Sequence, residues 1–456
     1  MKALLHEKLH RLANALDAPL YVVGGFTRDF LAGLKKENAD IDLCGPISPE
    51  TLTKAASSVG LEIKAVYKNT GTVKLGGDGD DYEFASFRSD KYVRGVHAPV
   101  EIFFTDDIFL DARRRDFTVN AVYYDIKNEC FVDPLNGIDA IKEKRLSTVD
   151  KADKVFGEDG LRLMRLARQC AQLGFFPDEE CLRGAQKNAA LILDISPERI
   201  FAELLQILSA DEKYGFSDGH YQGLLLLEKI GVLEKILPEL TLGKGMVQRS
   251  DYHKYDVLGH SLRAVRYAKK EVRLAALLHD VGKPLCHLRD GNAYAHPEEG
   301  EVLARDILSR LKAPKKTVSH VCELVKWHMY DFDCKAKENR LRKFFVANYP
   351  LLPDLLALKQ ADFSGCKDDL TKAPTVQKWE ELLIKMRAEH APTTVRELAV
   401  SGKELIDDGL PPELTALVLK ELLTLAVCDP SLNQKERLKK LLPVAIRAAE
   451  QKKENG

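Results

Sequence analysis

Val23-Gly24-Gly25-Phe26-Thr27-Arg28-Asp29, followed by Asp40-Ile41-Asp42, decides how the rest of the chain reads. An apolar run, PLYVV, leads into the two glycines, and a helix is expected around Arg28 to Gly33. Glycines between a strand and a helix let the backbone approach a phosphate closely. On the strand that follows, residues i and i+2 face one side, so Asp40 and Asp42 converge while Ile41 points into the core. Two adjacent carboxylates repel unless a cation lies between them, and Mg²⁺ prefers such oxygen ligands, usually shared with substrate phosphates. A Gly-Gly turn alone is an ordinary tight turn, and a DxD alone is an ordinary solvated strand. Their combination, in order, on strand, helix and strand, points to metal-assisted phosphate chemistry.

Outward from this stretch, further strands are expected at Leu61 to Tyr67, Gly71 to Leu75, Tyr82 to Phe87, Val100 to Phe104 and Ala121 to Asp125, with a turn at Gly76 to Asp81. Strand and helix alternate, the mark of an α/β unit. From Phe156 onward the apolar residues recur at helical spacing, as in GLRLMRLARQCAQL and GLLLLEKIGVLEKIL. The expected class is α+β, an α/β head followed by an all-α body. The expected divisions are a head over 1–150, a helical neck over 151–245, a helical domain over 246–370 and a helical tail over 371–456.

With 456 residues, 45% of them hydrophobic and 30% charged, the chain reads as a multidomain globular protein. Its formal net charge of −1 provides no global field for nucleic acid, so any such surface must be local. Nine scattered cysteines without a CxxC pair suit a reducing compartment better than a disulfide framework or a zinc knuckle. The opening MKALLHEKLHRLANAL is an amphipathic helix, not a signal sequence, and no run is long and apolar enough to span a membrane. The expected location is the cytoplasm.

Two further motifs follow. Arg114-Arg115-Asp116-Phe117-Thr118-Val119-Asn120-Ala121 forms the first, and Glu158-Asp159-Gly160-Leu161-Arg162-Leu163-Met164-Arg165 the second. With GGxxRD and DxD, these resemble the nucleotidyltransferases of the DNA polymerase β superfamily, specifically the bacterial tRNA nucleotidyltransferase and poly(A) polymerase family. Their motifs have the form GGxVRDxLLG…DxD, RRDFTxNA and EDxxRxxR. Thr27 stands where the family has Val, and about two extra residues separate Gly33 from Asp40. The resemblance implies a polymerase β-like head in which Asp40 and Asp42 are catalytic and hold Mg²⁺. It further implies a nucleotide site of Gly24, Gly25, Arg28, Arg115, Asp116, Asn120, Asp159, Arg162, Arg165 and Arg168. Arg115 and Asp116 would contact the ribose and Asn120 the triphosphate, with Arg165 and Arg168 candidates for phosphate. Glu83 is a candidate third carboxylate.

Asp159 and Arg162, three apart on a helix, share a face. A carboxylate beside a guanidinium matches the amino group and adjacent acceptor that cytosine and adenine both present, and mismatches uracil and guanine. The implied function is template-independent addition of C, C and A from CTP and ATP to the 3′ end of tRNA. The alternatives are poly(A) synthesis, an HD phosphohydrolase with an inactive head, or a non-catalytic RNA-binding module. Before the RRD motif, the stretch Arg88 to Pro99 keeps the tyrosine (Tyr92) and proline of the family's mobile loop. Its acidic-Gly-Arg run is replaced by Arg94-Gly95-Val96-His97, which bears on whether the terminal A is added. The presence of the loop argues against a CC-only enzyme.

In the body, His260, His279-Asp280 and Asp362 resemble the H…HD…D pattern of the HD-domain phosphohydrolases, with His296 and His328 as candidate auxiliary ligands. Imidazole with carboxylate suits a transition metal. Lys435, Arg437, Lys439 and Lys440 in the tail are candidates for tRNA contact beside the plainer reading of a solvated helix face.

Overall fold

The computed structural model describes residues 1, 4–34, 40–77, 80–92 and 99–454. The expected turn at 76–81 and the loop at 88–99 therefore fall partly outside the described residues, at 78–79 and 93–98. The chain forms two compact units, 1–242 with 306–314, and 243–305 with 315–456. The sheet head and helical remainder make the class α+β.

The first unit opens with α1 (Glu7–Asn14), β1 (Tyr21–Val23), α2 (Gly25–Leu31), β2 (Ile41–Gly45) and α3 (Pro49–Ser58). Ser48 starts α3 by accepting the Thr51 N–H, with Pro49 in the first turn where its missing donor costs nothing. Then come β3 (Glu62–Tyr67), β4 (Thr72–Gly77), β5 (Asp80–Ser86), β6 (Arg88–Lys91), β7 (Glu101–Phe104), α4 (Ile108–Arg113), β8 (Tyr123–Asp125), β9 (Cys130–Val132) and α5 (Gly137–Lys142). Seven strands form one sheet in the order β3-β4-β5-β2-β1-β8-β9, while β6 and β7 pair separately. Strands β2 and β5 run parallel, and the other pairs of the large sheet are antiparallel.

Alternation along β1 and β2 sorts the two faces. Val22 and Leu43 pack with Leu9, Leu12 and Leu52 from α1 and α3. Val23 and Cys44 join Phe87, Ala112 and Tyr123 on the opposite face. Ile41 belongs to the first cluster, so Asp42 faces the second side, as a two-residue period requires. The strand begins at Ile41, with Asp40 exposed just before it. The strand expected from Ala121 begins at Tyr123, because Thr118–Asn120 is a tight 3₁₀ turn.

The rest of this unit is mostly helical, with one short parallel strand pair (Arg145–Leu146 with Phe176–Pro177): α6 (Ala152–Glu158), α7 (Leu161–Leu173), α8 (Glu179–Asn188), α9 (Pro197–Leu208), α10 (Ala210–Tyr214) and three further helices to Thr241. One expectation needs correcting here. Asp159 and Arg162 do not lie on one helix: Asp159 adopts an extended conformation (φ −148°, ψ 109°) in a break between α6 and α7. Its carboxylate caps the following turn, accepting the Leu161 N–H at 2.9 Å.

The second unit is all helical. Val257–Tyr267, Arg273–Leu278, Lys283–Asp290, the first part of His296–Arg310, Lys315–Trp327 and Leu352–Lys367 form a bundle around a group of buried histidines. Trp379, fully buried on the helix Pro374–Ala388, packs its ring on Tyr330, Phe344 and Phe345. The last two helices, Pro412–Cys428 and Lys435–Glu454, share a separate apolar cluster including Leu422, Leu438 and Ala449. Among the described residues no helix is long and apolar enough to cross a membrane.

Candidate active site

A cleft of about 430 Å³ opens in the first unit where β1, β2, the RRD segment and α7 meet. Gly24, Gly25, Arg28, Asp42, Arg115, Asp116, Asn120, Asp159, Arg162, Arg165 and Arg168 all line it. Gly24 sits at φ +82°, ψ −137°, a conformation that side-chain-bearing residues avoid. A Cβ built on it would come within 3.1 Å of Asp42 Oδ2. The first carboxylate is thus set directly against the glycine turn.

Asp42 pairs with Val23 on one side and Glu83 on the other. Parallel register puts the Glu83 side chain on the same face as Asp42. Burial raises the Asp42 pKa, Arg115 opposes this, and Glu83 and Asp40 push it up further. Asp42 in the cleft lining, with Glu83 beside it on the neighbouring strand and Asp40 near enough to raise its pKa, offers oxygen donors that suit a hard divalent cation able to relieve their repulsion. Asp40 itself lies outside the cleft lining, at the exposed start of the strand.

The floor of the cleft is a chain of hydrogen bonds linking segments far apart in sequence. Arg28 Nη1 donates to Asn120 Oδ1 at 2.8 Å, and Asn120 Nδ2 donates to Asp116 Oδ1 at 2.9 Å. Arg165 Nε donates to Asp116 Oδ2 at 2.8 Å, and its Nη2 lies 2.6 Å from the same oxygen. The Phe117 N–H completes the set at Oδ1, at 2.8 Å. Asp116 thereby fills the four acceptor positions of a carboxylate. Burial pushes its carboxyl pKa up, but Arg165 and these donors outweigh burial and hold it well below the usual range. Arg115 is anchored behind the cleft, donating to Asp111 Oδ2 and to the Tyr123 hydroxyl.

Arg162 donates to the carbonyls of Val155 (2.9 Å) and Arg114 (2.8 Å) and to Glu158 Oε2 (3.0 Å). These take three of its five N–H donors and leave two for a ligand. Arg168 is bound to Glu203 at 2.7 Å. Three groups escaped sequence reasoning. Arg199 and Lys213 line the cleft from outside every motif. Tyr214 donates its hydroxyl to Asp29 and accepts from Arg28, locking the glycine-turn helix. No local pattern marks any of them.

The second constellation lies in the second unit, within the helical bundle. His260, His279, Asp280, His296 and His328 are buried, and Asp362 is partly exposed. His260 Nε2 is 3.0 Å from Asp362 Oδ1 and 3.3 Å from Asp280 Oδ2, and His279 Nε2 is 3.5 Å and 3.4 Å from the same oxygens. Burial lowers the His279 pKa, but Asp280 and Asp362 overcome it and raise it to about 10, the sign of a negatively charged pocket. This imidazole and carboxylate set suits a transition metal. In the tail, Lys435 and Lys439 pair with Glu404 and Asp408, and Arg437 donates to the Ser431 carbonyl. Three of the four basic residues named there are thus engaged within the unit.

Comparison with known proteins matches residues 20–147 to the poly A polymerase head domain, 174–242 to a probable RNA and SrmB-binding site of polymerase A, and 252–361 to the HD domain. The A-adding tRNA nucleotidyltransferase of Deinococcus radiodurans is 31% identical over 406 residues, covering 84% of this chain and 86% of the relative. The CC-adding tRNA nucleotidyltransferase of Thermus thermophilus is 33% identical over 315 residues (65% and 68%). A CCA-adding enzyme of a Geobacillus species is 35% identical over 188 residues (41% and 45%). The crystal structure of the Bacillus stearothermophilus CCA-adding enzyme with CTP superposes with a TM-score of 0.64 at 23% identity, covering 98% of this chain and 100% of the other. At that identity the likeness speaks to the fold.

Proposed function

The chain belongs to the bacterial tRNA nucleotidyltransferase and poly(A) polymerase family, and we propose that it adds C, C and A from CTP and ATP to the 3′ end of tRNA, releasing pyrophosphate. The observation that carries this reading is the Asp42 carboxylate held against Gly24 at the edge of a cleft rich in arginine and amide donors.

Gly24 and Gly25 leave room for a triphosphate to approach the backbone. Asp42, Glu83 and Asp40 would hold Mg²⁺, which supplies activation of the primer 3′-hydroxyl and neutralisation of the triphosphate. Asn120, fixed between Arg28 and Asp116, presents its amide toward the phosphates. A ribose 2′-hydroxyl reaches Asp116 by displacing Arg165, whose side chain is 38% exposed and then turns to phosphate. Arg162 is immobilised by its three partners and directs its two remaining donors at the acceptor nitrogen of the base. Asp159, fixed by its cap on α7, takes the exocyclic amino group. Rigid placement of both matters, because selection of C and A over U and G rests on polarity rather than size.

The test is extension of two tRNAs, one ending at the base before CC and one ending in CC, with labelled CTP and ATP singly and together. Three residues on the first supports the proposal. Extension of the second alone restricts the enzyme to A addition, and a long A ladder makes it a poly(A) polymerase. Asp42→Ala should abolish every extension.

The buried histidines support a second activity in the HD-like region, metal-dependent phosphoester hydrolysis through His260, His279, Asp280 and Asp362. Hydrolysis of a 2′,3′-cyclic nucleotide that survives Asp42→Ala and disappears in Asp280→Ala would establish it. Equal hydrolysis by Asp280→Ala would refute it.

A further inference from the structure

We propose that Gln169 and Lys213 hold the terminal phosphate of the incoming nucleoside triphosphate, Gln169 as a neutral donor and Lys213 as its cationic partner. The inference rests on the reading of the cleft as a nucleotidyltransferase site.

Gln169 belongs to none of the sequence motifs. It follows Arg165 by four residues and Arg162 by seven on α7, so the three side chains share one face of that helix. Seven residues place it about 10 Å beyond Arg162 along the helix axis. Its side chain lines the cleft, yet only 2% of the residue is exposed. Among the described residues, its Oε1 has no hydrogen-bond partner.

A buried carboxamide left unpaired is unfavourable, and its neighbours show what pairing looks like here. Gln172, three residues on, is engaged at both ends. Its Nε2 donates to Gln206 Oε1 at 3.4 Å, and its Oε1 accepts from Arg168 Nη1 at 3.3 Å and from Lys213 Nζ at 3.5 Å. Gln169 stands beside this network and takes no part in it. The cleft is where a partner can reach it.

The surrounding charge names that partner. Arg168, Arg199 and Lys213 line the same cleft. Lys213 precedes Tyr214 on α10, whose hydroxyl accepts from Arg28 Nη2 at 3.3 Å. Arg28 also donates to Asn120 at 2.8 Å, so this basic group runs directly into the part of the cleft assigned to the triphosphate. Four cations around one neutral amide suit a multiply charged anion, and the terminal phosphate is the most highly charged group of a triphosphate. A base or a ribose hydroxyl calls for no such field. Arg168 and Arg28 are held in place by Glu203 and Asp29, whereas Lys213 carries its ammonium on a flexible stem able to follow a phosphate. A carboxamide offers either an oxygen or an NH₂ by turning about its last bond, and an anion takes the NH₂. The same two groups then face the departing pyrophosphate.

The experiment measures binding of ATP, ADP and AMP, each with Mg²⁺, to the full chain by isothermal titration calorimetry. The parent is compared with Gln169→Leu, Gln169→Glu and Lys213→Met. The parent should prefer ATP to ADP. Gln169→Leu and Lys213→Met should each weaken ATP about 10-fold and leave ADP within about 2-fold, the loss of one hydrogen bond to a charged group. Gln169→Glu should weaken ATP further, because it sets a carboxylate against phosphate. A glutamate that binds ATP as well as glutamine does would make a hydroxyl or a base the partner and overturn the inference. Equal losses for ATP and ADP, or no loss for either, overturn it as well. Circular dichroism melts check folding, and Gln169→Leu should melt no lower than the parent. A lower midpoint overturns the claim that the amide lacks a partner within the fold. Extension of tRNA by the parent tests the underlying reading separately. A parent that extends tRNA while its variants keep the ATP preference overturns this inference alone. A parent that neither extends tRNA nor binds nucleotide overturns both.

Discussion

Replacing Gly24 with alanine tests the link between backbone conformation and chemistry. At φ +82°, ψ −137° the backbone occupies territory that costs a side-chain-bearing residue about 1–3 kcal/mol. The added Cβ would also sit 3.1 Å from Asp42 Oδ2. Asp42 has little freedom to retreat, because its strand is paired on both sides, to Val23 and to Glu83. The carboxylate must therefore shift by a few tenths of an ångström. On a scale where a 1 Å misplacement costs about 10²-fold, a shift of about 0.3 Å should slow addition by roughly 4-fold. Gly33→Ala is the control. Gly33 also has a positive φ, +67°, but a Cβ placed there would meet nothing within 4 Å, so a left-handed residue costs about 1–2 kcal/mol and touches nothing. Urea denaturation should show both variants destabilised. Single-turnover addition of labelled nucleotide to tRNA should be slowed in Gly24→Ala alone. Equal rates in the two variants would refute the claim that the glycine turn sets the Asp42 carboxylate.

Three other outcomes are expected. Tyr214→Phe removes a hydroxyl shared by Asp29 and Arg28 and should cost about 1 kcal/mol. That appears as a several-fold rise in KM for the nucleotide with kcat nearly unchanged; an unaltered KM would deny Tyr214 its positioning role. The Asp116 pKa is depressed in the fold, so its contribution to stability is present above the unfolded value of about 3.9 and lost as pH falls toward the folded value. Denaturation midpoints of the first unit should thus fall below pH 4, and Asp116→Asn should flatten that acid limb; an unchanged slope contradicts the assignment. Trp379→Ala should destabilise the second unit by about 3–5 kcal/mol, seen as an earlier unfolding step by calorimetry, and a shift of under about 1 kcal/mol would show that its aromatic cluster is not structural.

The amino-acid order determined what depends on neighbours along the chain. The glycine turn, the Ile41-Asp42-Leu43 alternation, the Arg114 to Ala121 motif and the helical periodicity after Phe156 each lie within one short window that backbone geometry converts directly into local structure. Asp40, expected on the same strand face as Asp42, instead precedes the strand and lies outside the cleft lining. The same reasoning failed at Asp159 and Arg162, where three-residue spacing implied a common helix face. The break at Asp159, stabilised by its own cap on Leu161, put the two on different geometries. Only the tertiary structure decided the rest. Glu83 stands beside Asp42 because β2 and β5 run parallel. Tyr214 reaches Asp29 from a distant helix, and Arg199 and Lys213 enter the cleft with no motif around them. His296 and His328 meet because two helix ends converge on one carboxylate. Those contacts are set by how helices and strands pack, a many-body balance of buried area and paired polar groups that no local spacing encodes.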